Sequence, residues 1–473
     1  MKQIDVLPDE VLLEIFDFYV DPSYKVCPTK KSNRSKVEAW QSLIHVCRRW
    51  RSLVFRSPRR LNLRLFWTTR ARDTLDVWPP LLPIVLDNII SSSGTDNIIA
   101  ALGQNNRVCQ ISLYGHAHEQ FGKTLAAMQV PFPELTDLVL YLFSYSSTPV
   151  IPNSFLGGSS PRLRSVTLGG IPFQGLPNLL LSTTHLIELK LTGLPHSGYI
   201  SPEAIVALIS ELSSLETLSL KFPPPQSRSD WESQGRPPLV RSILPALHKF
   251  HFLCNTEYLE DLVTRIDTPQ LNEMDITFFS QTDFDCPQLV QFISRSPSLK
   301  TSDEARVEFG CSFFPTTASI ALPAPARSRT LKVGIQCSED RQLSSVAQVC
   351  NSILPLSTVE DLYVKYHPTL VWNNDANERL VESALWLQLL LSFTAVKNLY
   401  ISKEIAPGIA AALQEIVGEG ITEVLSGLQN IFVEGLGPSG TFQKNIGQFI
   451  ALRQLSDHPI AISVWTDSKM KPM

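Results

Sequence analysis

One spacing returns so often along this chain that it limits what the chain can become. In Ser214-Leu-Glu-Thr-Leu-Ser-Leu-Lys221, apolar residues stand at Leu215, Leu218 and Leu220. The same spacing, three residues and then two, returns at Val108/Ile111/Leu113, Leu135/Leu138/Leu140, Leu163/Val166/Leu168 and Leu186/Leu189/Leu191. Later copies are Leu247/Phe250/Phe252, Leu271/Met274/Ile276, Val359/Leu362/Val364, Val396/Leu399/Ile401 and Leu428/Ile431/Val433. In each copy the last two apolar positions alternate with other residues, as a strand with one buried face requires. Apart from the gap between Leu271 and Val359, successive copies begin roughly 23 to 37 residues apart, enough for a strand, a turn and a helix. One such unit cannot bury its apolar face alone, so the units must stack.

That pattern is the signature of a leucine-rich-repeat solenoid in its long, irregular form. The expected class is α/β: a curved, mainly parallel sheet with helices on the convex side, spanning residues 61–473 behind a short all-α head at 1–60. Stacked repeats grow without separate cores, so the length of 473 residues does not imply several globular domains. An irregular insertion falls at about 299–337. There Arg306-Val-Glu-Phe309, Ser319-Ile-Ala-Leu322 and Leu331-Lys-Val-Gly-Ile335 read as strands without helices between them, in a hairpin-like arrangement. Ala461-Ile-Ser-Val-Trp465 reads as the last strand, and Leu61-Asn-Leu-Arg-Leu65 as the first one beyond the head. Residues 73–105 read as a helix and a less regular opening repeat. Ser201-Pro-Glu-Ala begins a helix, with Ser201 as its cap and Pro202 at its first position.

The head is charged differently from the body. Residues 1–72 hold 15 Lys and Arg against 7 Asp and Glu, which leaves 26 against 38 for the remainder. A basic end of this kind suits a nucleic-acid arm or an acidic protein partner. Its arginines, however, lie among Trp and Leu at helical spacing, so a compact helical module fits better and no nucleic-acid partner is expected. Pro8 pre-sets the first turn of a helix, and Asp9 and Glu10 complement its positive end. Val11, Leu12, Ile15, Phe16 and Tyr19 share one face of that helix. A second helix is expected from near Ser35 through Trp40, Leu43, Val46, Cys47, Trp50, Leu53 and Val54, ending before Pro58. It is apolar on more than one side, more than a small hairpin needs.

Leu7-Pro8-x-Glu10-Val11-Leu12-x-x-Ile15-Phe16, followed by Val46-Cys47-Arg48-Arg49-Trp50-Arg51, resembles the F-box. The segment between, about 20–37, is longer than the usual connection. In that respect, and in Leu259-Glu-Asp-Leu-Val263 and Pro287-Gln-Leu-Val-Gln-Phe292, the chain is similar to F-box-like proteins of mushroom-forming fungi. The resemblance implies a substrate-recognition subunit of a cullin-type SCF ubiquitin ligase. The head would dock on a Skp-type adaptor through Leu7, Pro8, Val11, Leu12, Ile15, Phe16, Val46, Cys47 and Trp50, and the repeats would hold a protein target. The alternative is a non-catalytic repeat scaffold whose head only caps the open end of the stack.

Residues suited to holding a target are the strand positions that alternate with the apolar ones. They include Lys190, Lys249 and His251, and the aromatic series Tyr363, Tyr400 and Phe432 at equivalent positions of three late strands. Such a series serves either as a binding hot spot or as lateral packing between strands. The Pro-rich polar stretch 223–238 interrupts the repeats as a loop, and its Trp231 either anchors a partner or folds back onto the stack.

Catalytic patterns fail on inspection. Gly122-Lys123-Thr124 lacks the earlier glycine of a phosphate-binding loop, because position 117 is Ala. Gly437-Pro-Ser-Gly440 lacks nucleophile-elbow spacing, and His116-Ala-His118 has no Cys or His cluster nearby to complete a metal site. No enzyme activity, cofactor or metal is expected. Eight scattered cysteines without a Cys-x-x-Cys pair read as thiols of a reducing compartment. With no secretory leader and no apolar run of membrane-spanning length, a cytoplasmic or nuclear location is expected and no membrane partner.

Overall fold

The structure is a computed structural model, and it describes residues 7–19, 39–57, 65–66, 82–91, 93–143, 149–172, 176–193, 200–222, 240–279, 284–299, 302–310, 317–323, 330–367, 383–416, 424–435 and 446–465. They fall into two compact units, Met1–Thr183 and Thr184–Met473.

The first unit opens with α1 (Asp9–Tyr19), which carries Asp9 and Glu10 in its first turn as the sequence predicts. The expected second helix is two helices, α2 (Ala39–Ile44) and α3 (Arg48–Arg56), with a turn between them. Cys47 makes the break. Its backbone is extended (φ −158°, ψ 171°), and its Sγ accepts the Trp50 amide at 3.4 Å, capping α3. Apolar spacing ran through this turn unbroken, so periodicity alone reads it as helix. Leu12, Leu13, Phe16, Leu43, Ile44, Leu53 and Val54 form the small core of the three helices, closed by Leu82. Arg49 ties α3 back to the start of α1, donating to the Leu7 carbonyl at 2.6 Å and pairing with Asp9 at 2.7 Å.

Beyond the head, β1 (Leu65–Phe66), β2 (Ile84–Ile90), β3 (Val108–Gly115), β4 (Asp137–Leu142) and β5 (Ser165–Gly169) pair in parallel in chain order. Helices α4 (Thr95–Leu102) and α5 (His118–Ala127) separate β2, β3 and β4, a short 3₁₀ turn (Phe155–Gly158) stands between β4 and β5, and α6 (Leu176–Leu181) follows β5. Of the expected strand at 61–65, only Leu65 lies within the described residues. Within 73–105, read as a helix and a less regular opening repeat, the described residues hold a strand at 84–90 and a helix at 95–102. Ile84-Val-Leu-Asp-Asn-Ile-Ile90 lacks the repeat spacing, and its register on β3 shifts between Ile84 and Val85. Inward rows such as Ile111, Leu138 and Val166 are fully buried. Each such side chain contributes about 1.5–3 kcal/mol relative to exposure.

In the second unit the repeats run through β6 (Glu188–Thr192), α7 (Pro202–Ile209), β7 (Thr217–Lys221), β8 (Ser242–Ile243), β9 (Lys249–Cys254), α8 (Thr256–Arg265), β10 (Ile266–Asp267), β11 (Glu273–Phe279) and α9 (Pro287–Arg295). Ser201 caps α7, its Oγ accepting from the Ala204 amide at 3.3 Å, with Pro202 in the first turn. The Glu260 carboxylate accepts the backbone amides of Gln288 and Leu289 at 3.0 and 2.7 Å, so one repeat caps the helix of the next. Short β8 and β10 pair with each other, apart from the main sheet.

The irregular segment is β12 (Glu304–Phe309), β13 (Thr317–Pro323) and β14 (Thr330–Gln336). The chain leaves β11, and β12 takes a place three positions along. Then β13 and β14 fold back, so the order runs β11-β14-β13-β12. Only β13 is antiparallel, to both neighbours, while β14 lies parallel to β11. After α10 (Gln342–Ser352), β15 (Asp361–Tyr366) joins β12 in parallel. Gly310 makes the sharp exit from β12 at φ +73°, where an added Cβ would stand 2.5 Å from the His367 carbonyl oxygen. Regular repeats resume with α11 (Ser383–Leu391), β16 (Asn398–Ile401), α12 (Ala406–Gln414), β17 (Asn430–Glu434), α13 (Gly447–Leu455) and β18 (Ala461–Trp465). Within each series α7–α9 and α10–α13, helices pack on their neighbours in sequence. The ten spaced triplets all end in strands.

Candidate functional site

On the head, the residues carrying the F-box resemblance divide into two sets. Leu12 and Phe16 are 1% and 0% exposed and belong to the core, so they build the head without forming its outer surface. Val11, Ile15 and Val46 are 41%, 47% and 59% exposed. Pro8 is exposed too, and Leu7, Cys47 and Trp50 are half-buried. Trp50 packs edge-on against Phe16 at 4.7 Å between ring centroids. Val11 and Ile15 stand one helical turn apart on α1, so the helix carries an apolar stripe outside its core as well as inside.

On the second unit the strand positions facing away from the buried apolar rows form two stretches. From β6 to β11, with β14, they carry several charges, some of them paired along or across the strands. Lys190 pairs with Glu188, and Lys249 with Glu273 at 2.7 Å. His251 lies 3.6 Å from Glu273 and 3.9 Å from Asp275. Register aligns Ser219, His251, Asp275 and Lys332 in one row across β7, β9, β11 and β14.

From β12 through β18 the face changes character. Arg306, Tyr363, Tyr400, Phe432 and Ser463 share one row by strand register. Tyr363 and Tyr400 stack at 4.2 Å and 8°, and Tyr400 and Phe432 at 4.6 Å and 10°. The sequence expectation of an aromatic series is therefore a continuous ring stack, half-buried along its length. In the adjacent row the Asn430 amide donates to Asn398 Oδ1 at 2.8 Å, and the Asn398 amide donates to Asp361 Oδ1 at 2.7 Å. This amide ladder ends in a carboxylate and locks the register from β15 to β17. Burial holds the Tyr363 hydroxyl well above the usual tyrosine range, with Tyr400, Glu304 and Asp361 adding to it; burial raises Tyr400 as well.

Three residues of this surface escaped the sequence reading. Trp465 leans across from β18 to lie 5.9 Å from Tyr400 and 6.2 Å from Tyr363. Lys365 Nζ sits 5.0 Å above the Trp465 ring, and the Arg306 guanidinium 5.8 Å from the Tyr363 ring while ion-paired with Glu304. Alternation counted two residues along each late strand would have found Lys365; no local signal brings Trp465 across two strands. A smaller cluster in the first unit was also missed. Tyr114 and Tyr141, each just after the third apolar residue of its triplet, stand in register beside Phe143, on which His116 stacks at 4.8 Å. Trp231 lies outside the described residues.

Reactive chemistry finds little support among the described residues. Gly122, Lys123 and Thr124 lie within α5, with Lys123 paired to Glu119 at 2.8 Å and the Thr124 hydroxyl donating to the Gln120 carbonyl at 2.9 Å. That segment is a helix and offers no phosphate cradle. Burial pushes the Cys254 thiol up to about 12 and raises Cys350 further, the opposite of nucleophile activation. No group of three or more His, Cys, Asp or Glu among the described residues could hold a metal ion. No helix there is long and apolar enough to cross a membrane.

Comparison with known proteins adds a distant likeness. No family model matches the chain, and no curated protein matches it. Among solved structures it is similar to the leucine-rich repeat-containing protein LegL7 from Legionella pneumophila, at 13% identity and a TM-score of 0.24, covering 84% of this chain and 98% of that one. A likeness this weak carries no functional argument.

Proposed function

We propose that this chain is a non-catalytic recognition subunit: its head docks on a Skp-type adaptor of a cullin-based ubiquitin ligase, and its repeat face holds a protein target. The observation that carries the reading is the exposure of Val11, Ile15 and Val46 on a head whose described helices bury a core of their own. Apolar side chains left outside that core suit a partner surface. They belong to the segments whose wording resembles the F-box. The mechanism is positional. One end is held near the transferring enzyme and the other holds the target, so the effective concentration of target lysines rises without any reactive group here.

A second reading rests on Leu82, which sits two residues before β2 and packs into the head's core. By that contact the head serves as an end cap for the first strands. Co-purification with a Skp-type adaptor separates the two. Val11→Ser with Val46→Ser should release the adaptor while leaving the melting temperature unchanged. If wild-type protein also fails to retain adaptor, the cap reading stands and adaptor docking is wrong.

A further inference from the structure

The ring stack of the second unit is finished at one end and unfinished at the other. At the β12 end the guanidinium of Arg306 stands over Tyr363. At the β18 end the row position after Phe432 is Ser463, an exposed residue too small to cover a ring. Among the described residues no second ring and no cation lies on that far side of Phe432. Two positions along the same strand and on the same face stands Glu434, half-buried, with no ion pair among the described residues. Residues two apart on a strand lie about 7 Å from each other, within reach of one arginine side chain.

The surroundings favour a positive charge. On β12 and β15–β18 the positions facing this way include four acids, Glu304, Glu308, Asp361 and Glu434, and two bases, Arg306 and Lys365. Both bases already lie against ring faces of this chain. The charged stretch from β6 to β14 has the opposite balance, with Lys190, Lys221, Lys249 and Lys332 against Glu188, Glu273 and Asp275. A cationic occupant is therefore drawn to the ring end of the face. The seat lies at the edge of the order, since β18 is its last strand and Ser463 on the ring face is exposed.

We propose that this gap over Ser463 is a seat for an arginine side chain of the protein target, its guanidinium laid on Phe432 and paired with Glu434. It repeats at the far end of the stack the arrangement that Arg306 and Glu304 make at the near end. Arginine fits better than lysine, because a planar guanidinium stacks on a ring and meets a carboxylate with two parallel hydrogen bonds. This inference rests on the target-holding role proposed above and gives that role a chemistry.

The test uses the full chain and labelled short peptides that carry a single arginine, or citrulline as its uncharged isostere, read by fluorescence anisotropy. Arginine should bind about tenfold tighter than citrulline, an advantage typical of a partly desolvated cation–π contact with an ion pair. Glu434→Gln should erase most of that preference, and Ser463→Tyr, which fills the gap with a ring, should abolish it. Ser463 is exposed and Glu434 half-buried, and unchanged or raised melting temperatures confirm folding. Equal binding of the two peptides, or arginine binding untouched by Ser463→Tyr, overturns the proposal. Adaptor retention is scored on the same preparations. Retained adaptor without arginine preference sinks this inference alone, while arginine preference without adaptor sinks only the docking role of the head.

Discussion

The two stretches of the second unit's outward face share one inward template and differ in everything else. Behind Lys249 and His251 lie Phe250 and Phe252; behind Tyr363 and Tyr400 lie Leu362, Val364, Leu399 and Ile401, all buried. The first stretch spends its outward positions on charges that neutralise one another in water, and the second on rings and amides stacked from strand to strand. Exposed ion pairs contribute little to stability, whereas stacked rings and chained amides fix register. The difference teaches that the repeat constrains only the inner half of each strand. The outer half is free to be polar cover in one place and a rigid platform in another.

The comparison breaks first if the inward template is not shared. Phe252→Ala in β9 and Phe309→Ala in β12 remove rings that are 1% and 0% exposed, and each should cost about 3–5 kcal/mol in urea unfolding. A large inequality between them would mean that the segment around the inverted strand β13 packs less well than the regular repeats. Next comes Tyr400→Ala, which removes a ring touching Tyr363, Phe432 and Trp465. A loss of about 1–3 kcal/mol is expected, from two or three aromatic pairs. Asn398→Ala, which breaks the amide ladder at its centre, should cost about 1 kcal/mol. On the charged stretch Lys249→Ala should cost less than about 1 kcal/mol, and that loss should shrink in high salt because Lys249 is exposed and Glu273 only half-buried. If Lys249→Ala cost as much as Tyr400→Ala, the distinction between cover and platform would fail.

Alkaline titration sharpens the same contrast with the smallest effect at neutral pH. Tyr363 has a folded value above that of the unfolded chain, near 10. Its stabilising share is thus fully present below about pH 10 and is lost as pH rises through the folded value, because the unfolded chain gives up its proton first. Tyr363→Phe should flatten the alkaline limb of the stability curve, and absorbance titration should lose one late-ionising tyrosine. The charged stretch has no tyrosine in its rows, so Lys249→Ala should leave that limb unchanged.

Much of the fold was legible in the residues. Each spaced triplet marks a strand because two alternating apolar residues demand a one-sided buried surface, and Ser201-Pro202 announces α7 by local capping chemistry. Other features were not. Ile84–Ile90 reads equally as helix or strand, since a short apolar run carries no period. The break at Cys47 depends on one thiol accepting one amide, inside a run of apolar residues that suits a helix. The ring series was visible as Tyr363, Tyr400 and Phe432, but its closure by Arg306 and its cross-cover by Trp465 were not.

What the sequence determined by itself is the repeating inward half: spacing sets which side of each strand is buried, and burial of that side forces the units to stack. Only the tertiary structure decided which strands are neighbours. The place of β12 beside β15, the return of β14 to β11 and the inversion of β13 are settled by hydrogen bonds between segments far apart in the chain, which no local pattern encodes. From that order follow the row joining Arg306 to Ser463 and the ring face left uncovered at its end.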